Sequence, residues 1–190
     1  SILTNGTGDF YSLTSSEINN LRFKAVVGTR YENLVRIPTL AQFLEFCERR
    51  ACPVTLELKL PRPSSQVSDR QAAIDMIKVS PIAKNIIIQV TTGSAAQQVR
   101  NSTLDVKTAF SYASFTNYLT ELYDFKKWRI NQLMISSDSL SNPNADQAII
   151  LAKKLGFELI GYTSQNTKTN VYTLASKGFF NIISDRGFEK

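Results

Sequence analysis

Residues 54–60 read Val-Thr-Leu-Glu-Leu-Lys-Leu. Its strict alternation of aliphatic and polar residues predicts a β-strand, because successive side chains of a strand point to opposite faces. Thr55, Glu57 and Lys59 therefore share one face, which makes Glu57 and Lys59 candidates for a functional site. The chain contains no histidine, so a catalytic interpretation has to do without the commonest acid or base near neutral pH.

Five further runs of mostly apolar residues follow this strand and alternate with helical patterns. Continuous apolar runs are typical of strands that are buried on both faces of a parallel sheet. The predicted strands span 86–90, 106–111, 132–136, 157–163 and 180–184, and helices are predicted at 14–21, 39–51, 68–79, 115–125, 143–155 and 169–177. The spacing of the strand starts is that of βα units. It predicts an α/β fold that forms most of a (β/α)8 TIM-type barrel.

An open, doubly wound sheet is the main alternative to the barrel, although no Gly-x-Gly-x-x-Gly motif follows any predicted strand. In both folds the functional residues gather where strands end and helices begin. Glu57 and Lys59 lie at such a position.

Local signals mark several helix ends. Gly156 and Gly178 suit the left-handed conformation that often follows a helix, and Pro143 behind Asn142 suits a helix start. Capping boxes, in which two side chains three residues apart satisfy free backbone N–H groups, are predicted for Thr14 with Glu17, Thr39 with Gln42 and Ser68 with Gln71.

The composition fits a single globular domain. The 190 residues are 43% hydrophobic and 20% charged, with a formal net charge of +6. This charge favours anionic partners, but the basic residues are scattered and no recognition motif accompanies them, so we expect no nucleic-acid binding. Cys47 and Cys52 have no neighbouring histidine and are expected to be buried free thiols. No apolar run is long enough for a transmembrane segment, and residues 1–10 carry no signal-peptide pattern, which leaves the localisation open.

Six short motifs follow one another along nearly the whole chain. They are Thr4-Asn5-Gly6-Thr7-Gly8, Ser12-Leu13-Thr14-Ser15-Ser16-Glu17-Ile18, Ile37-Pro38-Thr39-Leu40, Leu56-Glu57-Leu58-Lys59, Gly161-Tyr162-Thr163-Ser164 and Gly178-Phe179-Phe180-Asn181-Ile182-Ile183-Ser184-Asp185. In order and spacing they resemble landmarks of the glycerophosphodiester phosphodiesterase (GDPD) family. None is specific alone, but six in this order would be hard to obtain by chance.

The resemblance implies a barrel that this chain supplies only in part. In the family a His-Arg pair, a Glu-x-Asp and a His-Asp precede the first of these landmarks, and none of the three occurs here. A complete barrel takes ~250 residues. We therefore expect 1–190 to be a single incomplete domain, with a loop and helices in 1–53 and six βα units in 54–190 that correspond to the third to eighth strands. An N-terminal segment or a partner chain is expected to complete the barrel, because open edges expose unpaired backbone groups.

The resemblance also implies roles for individual residues. Glu57 would be one of three carboxylate ligands of a divalent cation, Ca2+ or Mg2+, and Lys59 would hold a phosphate oxygen of the substrate. Tyr162, where the family has Trp, would wall the substrate site. The acid–base histidines of the family have no counterpart, so no catalytic residue is assigned in this chain. The plainer alternatives are a surface ion pair between Glu57 and Lys59, and an ordinary strand-end aromatic at Tyr162.

Other residues near the strand ends are expected to have structural roles. Asp185 would fix the turn after the last strand. Thr91-Thr92-Gly93 stands where the family often has Ser-Phe, which puts substrate contacts from that loop in doubt. The aromatic residues between Phe110 and Trp128 are expected to pack in the core and on helix faces.

Two functions follow from the resemblance. The first is metal-dependent hydrolysis of glycerophosphodiesters, either from lipid metabolism or from glycerol-phosphate polymers, by a phosphodiesterase of which this chain is a part. The second is a catalytically inactive GDPD-like barrel that serves as a binding or structural module of a larger assembly, for example a viral particle. In both cases we expect parallel strands in chain order, with Glu57 and Lys59 pointing into the barrel.

Overall fold

A single parallel β-sheet forms the centre of the protein. The computed structural model describes residues 4–6, 12–58, 66–102, 105–163, 168–179 and 181–184. The strands are β1 (Val54–Glu57), β2 (Ile86–Val90), β3 (Lys107–Ser111), β4 (Gln132–Ser136), β5 (Glu158–Thr163) and β6 (Asn181–Ser184). All neighbouring pairs are parallel, and the order in the sheet is the order in the chain. This arrangement confirms the predicted fold class, a partial (β/α)8 barrel.

A helix connects each strand to the next. The helices are α1 (Ser15–Asn20), α2 (Leu40–Arg50), α3 (Gln66–Lys78), α4 (Gly93–Ser102), α5 (Tyr118–Lys127), α6 (Ala145–Lys154) and α7 (Lys168–Ser176). Short 3-10 helices occur at Lys24–Val26, Ala83–Asn85 and Ser137–Ser141. Among these described helices, none has the length and apolar character needed to cross a bilayer.

The two faces of the sheet differ because the helices cover only the outer one. The outer face holds the main core, in which Ile86, Ile88 and Leu133 are completely buried. The inner face carries a smaller apolar cluster, made of Ala109, Met134 and Ile160 with Ile87 and Tyr162 packed against it. The inner face of the sheet therefore corresponds to the interior of a barrel, where side chains from several strands meet.

The strand positions predicted from the sequence agree closely with the structure. The predicted strands at 86–90 and 132–136 have the observed bounds, and two others begin one residue later than predicted, at Lys107 and Glu158. The strand predicted at 54–60 is described as Val54–Glu57. Lys59 and Leu60 lie outside the described residues. Runs of apolar residues locate strands well because burial on both faces leaves few polar positions inside them.

Helix starts required more correction. Ser68, predicted as a helix cap, is the third residue of α3, which begins at Gln66. The helix predicted from 115 begins only at Tyr118. Phe115 is instead buried completely in the loop before α5, where its ring meets that of Tyr112 edge-on at a centroid distance of 5.0 Å. Burial of this ring holds the preceding loop in the core and delays the helix.

The helix predicted from Pro143 also begins later, at Ala145. Asn142 Oδ1 accepts a hydrogen bond from the backbone N–H of Asn144 at 2.9 Å, so a side-chain-stabilised turn occupies the predicted first positions. The two glycines predicted to end helices have the expected left-handed backbone, with φ values of 76° at Gly156 and 80° at Gly178. Helix α4 was not among the predicted helices.

Helix α2 lies on the outer face of the sheet, because its Leu44 and Cys47 pack in the same core as Val54 and Leu56 of β1. Thr39 caps it, because its hydroxyl oxygen accepts the N–H of Gln42 at 3.2 Å while Gln42 Oε1 accepts the N–H of Thr39 at 2.9 Å. The predicted capping box is therefore confirmed. The helix ends at Arg50, and three residues then reverse the chain into β1. Because this connection is so short, α2 and β1 run in opposite directions, as in other units in which a helix precedes a strand, and the N-terminus of α2 points toward the edge of the sheet where β1 ends.

Candidate functional site

The carboxyl ends of the six strands meet at one edge of the sheet, here called the carboxyl edge. Barrels of this type place their functional residues at this edge. Val54 and Leu56 of β1 pack against the outer core, so alternation places Glu57 on the inner face, where its side chain is exposed. Glu57 thus occupies the last position of β1, at the carboxyl edge and inside the curve of the sheet.

Gln89 is the neighbour of Glu57 on the adjacent strand. The two residues are paired in register between β1 and β2, and Leu58 donates its backbone N–H to the carbonyl oxygen of Gln89 at 3.1 Å. The Gln89 side chain reaches across to β3, where its Nε2 donates to Ser111 Oγ at 2.8 Å. A carboxylate, an amide and a hydroxyl therefore line three consecutive strands on one face. Gln89 and Ser111 were not recognised from the sequence, since each lies in a mostly apolar run.

Tyr162 lies on the inner face of β5, four strands away from Glu57 in the order of the sheet. It is paired in register with Ser136 and packs against the inner apolar cluster. Ser136 Oγ accepts the backbone N–H of Asp138 at 3.2 Å and so caps the short helix after β4. Tyr162 and Glu57 thus share the concave face. The position is compatible both with a substrate wall and with a strand-end packing residue.

Two of the residues singled out in the sequence cannot be placed. Lys59 and Asp185 lie outside the described residues, so their roles stay predictions. The Thr91-Thr92-Gly93 loop is described, and there Thr92 Oγ1 accepts the backbone N–H of Ala95 at 3.3 Å. This contact stabilises the start of α4, so the hydroxyl of Thr92 has a structural role.

A second polar group lies on the inner face at the amino ends of the strands. Gln132 Nε2 donates to Glu158 Oε2 at 2.6 Å, and Asn181 Nδ2 donates to Glu158 Oε1 at 3.2 Å. Gln132 is 3% exposed, and its Oε1 has no hydrogen-bond partner. The group joins three strands far from the carboxyl edge, where residues of a barrel generally serve stability rather than chemistry.

The aromatic residues from Phe110 to Trp128 pack in the outer core, as predicted, with the exception of Tyr123, which is exposed on α5. Within this group, Tyr112 has a raised pKa. Its hydroxyl donates to Glu121 Oε2 at 2.9 Å, and its ring contacts Phe115 and Phe125 edge-on. Burial raises the pKa of the Tyr112 hydroxyl, and the hydrogen bond to Glu121 raises it further. The phenol therefore stays protonated and cannot act as a base near neutral pH.

The described residues do not by themselves form a metal site. No group of three His, Cys, Asp or Glu side chains in the described ranges could hold an ion. Hard divalent cations prefer several oxygen ligands, and of the inner-face residues that end the described strands only Glu57 carries a carboxylate. Cys47 and Cys52 are free thiols on and after α2. The predicted cation would therefore need ligands from outside the described residues.

A cavity of about 620 Å³ lies at the amino edge of the sheet instead. It is lined by the C-terminal residues of α3 and α4, including Lys78 and Ser102, and by the residues that precede β2 and β3. Lys78 Nζ donates to the carbonyl oxygen of Ser102 at 3.2 Å. The cavity is therefore separate from the site around Glu57.

Residues 2–187 match the model of the glycerophosphoryl diester phosphodiesterase family. No curated protein sequence matches the chain. Among solved structures, a phosphodiesterase from Oleispira antarctica in complex with the product sn-glycerol-3-phosphate is similar, with a TM-score of 0.80, 18% identity and coverage of 96% of this chain and 71% of that chain.

Two further structures have the same fold. A glycerophosphodiester phosphodiesterase from Agrobacterium tumefaciens str. C58 matches with a TM-score of 0.70 and 17% identity over 97% of this chain and 73% of that chain. One from Parabacteroides distasonis ATCC 8503 matches with a TM-score of 0.71 and 16% identity over 90% of this chain and 66% of that chain. At these identities the structural matches establish the fold alone. The six strands thus correspond to part of a larger barrel.

Proposed function

Because the chain belongs to the glycerophosphoryl diester phosphodiesterase family, we propose that it contributes six strands and one wall of the active site to a barrel that hydrolyses glycerophosphodiesters. The observation that carries this proposal is the position of Glu57 on the inner face at the carboxyl edge, in register with Gln89. Membership also confirms the resemblance inferred from the six sequence landmarks.

The inner face offers suitable groups for a phosphodiester. Negative charge grows on the phosphoryl oxygens during hydrolysis and must be stabilised by donors or cations. Lys59 would supply an ammonium group to a phosphate oxygen, and the Gln89 amide lies beside Glu57 as a neutral polar group. Tyr162 would close the opposite side of the site. The Oleispira antarctica protein holds sn-glycerol-3-phosphate as product, which supports a glycerol phosphate group as the common part of the substrates.

We further propose that Glu57 contributes one carboxylate ligand to a Ca2+ or Mg2+ ion. A bound divalent cation would supply neutralisation of phosphate charge. The other ligands and the acid–base groups would come from the segment, in this polypeptide or a partner chain, that adds the first two strands of the barrel. A chelator is therefore expected to abolish hydrolysis, and added Ca2+ or Mg2+ is expected to restore it.

The experiment that tests the proposed function compares variants of the protein with its barrel complete. Release of glycerol 3-phosphate from glycerophosphocholine would be measured for the parent, for Glu57→Gln and for Glu45→Gln. Glu45 is an exposed residue of α2 whose ion pair, to Arg49 at 3.6 Å, lies within the same helix, which makes it a matched control. We expect Glu57→Gln to lose at least about 100-fold in kcat/KM and Glu45→Gln to keep parental activity. Parental turnover by Glu57→Gln, with an unchanged circular dichroism spectrum, would remove Glu57 from the mechanism.

A second candidate function is binding without turnover. It is favoured by one specific observation, namely that the 190 residues contain no histidine, the residue that performs most acid–base chemistry near neutral pH. Calorimetric titration with glycerol 3-phosphate separates the two candidates. Saturable binding that depends on Glu57, in a protein with no detectable hydrolysis in the presence of Ca2+ or Mg2+, would support the binding module and refute the hydrolase.

A further inference from the structure

Residues 22–36, which connect α1 to α2, form a basic loop on the surface. The loop contains Arg22, Lys24, Arg30 and Arg36 against a single acidic residue, Glu32. Backbone hydrogen bonds hold it in a succession of turns, among them Thr29 N–H to the Val26 carbonyl at 3.0 Å and Leu34 N–H to the Tyr31 carbonyl at 2.9 Å. The loop therefore has an ordered backbone, which holds its positive charges in fixed positions.

The three arginines of this loop are not neutralised by any carboxylate among the described residues. Arg22 and Arg36 each donate to nearby backbone carbonyl oxygens, at distances between 2.9 and 3.3 Å. The Arg30 guanidinium lies over the ring of Tyr31, 4.7 Å from its centroid. The carboxylate of Glu32 accepts the backbone N–H of Gly28 at 2.7 Å. None of these three arginines forms an ion pair within the described part of the chain.

The same loop exposes apolar side chains. Val27 is 48% exposed, Tyr31 is 45% exposed and Leu34 is 75% exposed. The three side chains lie within eight residues of one another in the chain, among the three arginines, and apolar surface that is rimmed by charge marks interaction sites. Tyrosine in particular suits a boundary between water and an apolar phase, because its ring is apolar and its hydroxyl is polar.

The position of the loop links it to the candidate site. Helix α2 begins at Leu40, three residues after the loop, and the short connection from α2 to β1 directs the N-terminus of α2 toward the carboxyl edge. The chain path thus leads the basic loop toward the same end of the sheet as Glu57. A surface bound by the loop would face the mouth of the barrel.

We propose that the basic loop docks the protein on an anionic lipid bilayer. The three arginines, which form no ion pair with the described residues, complement the negative surface potential of such a bilayer. The exposed side chains of Val27, Tyr31 and Leu34 can enter its interfacial region. Nucleic acid fits less well, since single-stranded binding uses stacking on aromatic rings and two of these three side chains are aliphatic. The proposal concerns binding and does not depend on hydrolysis.

Vesicle co-sedimentation tests the proposal. The protein would be mixed with vesicles of phosphatidylcholine alone, or of phosphatidylcholine with phosphatidylglycerol, at low and high salt. We expect binding only to the phosphatidylglycerol vesicles, and release at high salt. Arg30→Gln is expected to lower the partition coefficient about fivefold, and Leu34→Ser by roughly five- to tenfold. Equal binding to both kinds of vesicle, or no binding to either, would overturn the proposal.

Matched controls lie on α6. Lys154→Gln removes an exposed charge at the C-terminus of that helix, and Ile150→Ser removes an apolar side chain that is 56% exposed. Both should bind like the parent, and an equal loss in these variants would refute a role of the loop.

Leu34→Trp provides a second readout. Its added fluorescence should be quenched by brominated lipids in anionic vesicles, whereas unquenched emission would show that the loop does not contact the bilayer.

Discussion

Replacement of Tyr112 with Phe removes one hydroxyl group from the outer core and leaves the ring in place. Tyr112 is 4% exposed and donates to Glu121 Oε2 at 2.9 Å. A hydrogen bond to a charged acceptor contributes about 1.5–3 kcal/mol, and Glu121 can regain water once the hydroxyl is gone. We therefore expect Tyr112→Phe to lower the free energy of unfolding by about 1 kcal/mol near pH 8.

The difference in unfolding free energy between the parent and Tyr112→Phe is expected to depend on pH. Burial and the hydrogen bond to Glu121 raise the pKa of Tyr112 in the folded protein, whereas in the unfolded chain it returns to about 10. The stabilisation associated with the neutral phenol is thus complete below about pH 10 and is lost progressively as the pH rises above that value. At pH 11 the parent should lose about 1.4 kcal/mol through this group alone. Tyr112→Phe has no such loss, so it should become as stable as the parent or slightly more stable.

Urea denaturation followed by circular dichroism at about pH 8, 10 and 11 measures both effects. Lysines also titrate in this range, but they are present in both proteins and cancel in the difference. Tyr123→Phe is the matched control, because Tyr123 is on α5 and 53% exposed. If the difference in unfolding free energy between parent and Tyr112→Phe stays constant from pH 8 to pH 11, the phenol does not resist ionisation and the reasoning is refuted.

Three further substitutions test the packing and the helix caps. A Cβ at Gly161 would lie 2.8 Å from Leu174 Cδ2, and Leu174 is completely buried. Gly161→Ala should therefore lower the free energy of unfolding, measured in urea titrations, by about 1–3 kcal/mol. No change would show that α7 can shift freely. Thr39→Ala removes the acceptor of the Gln42 N–H and should lower the free energy of unfolding by about 1 kcal/mol, whereas Thr39→Ser should lower it much less. Equal losses in the two variants would argue against capping by Thr39. Phe115→Ala leaves a cavity at a completely buried position and should lower the free energy of unfolding by about 3–5 kcal/mol. A loss below about 1 kcal/mol would contradict the burial of Phe115 in the core.

Only part of the candidate site could be predicted from the sequence. Alternation alone was enough to put Glu57 on a face of its own strand, since side-chain direction in a strand has a period of two. The neighbours of Glu57 could not be derived in this way. Gln89 faces it because of the register between β1 and β2, and a shift by one residue would have turned the Gln89 side chain to the outer face.

Local signals and apolar runs determined the order of elements, most strand bounds and the capping of α2, because each depends on a few consecutive residues. Family membership also followed from the order of short landmarks along the chain. Contacts between distant residues were decided only by the tertiary structure. The hydrogen bond from Tyr112 to Glu121 and the Gln132–Glu158–Asn181 group on the inner face both join separate elements. Such contacts depend on how strands align and helices pack against the sheet, which no local sequence pattern specifies.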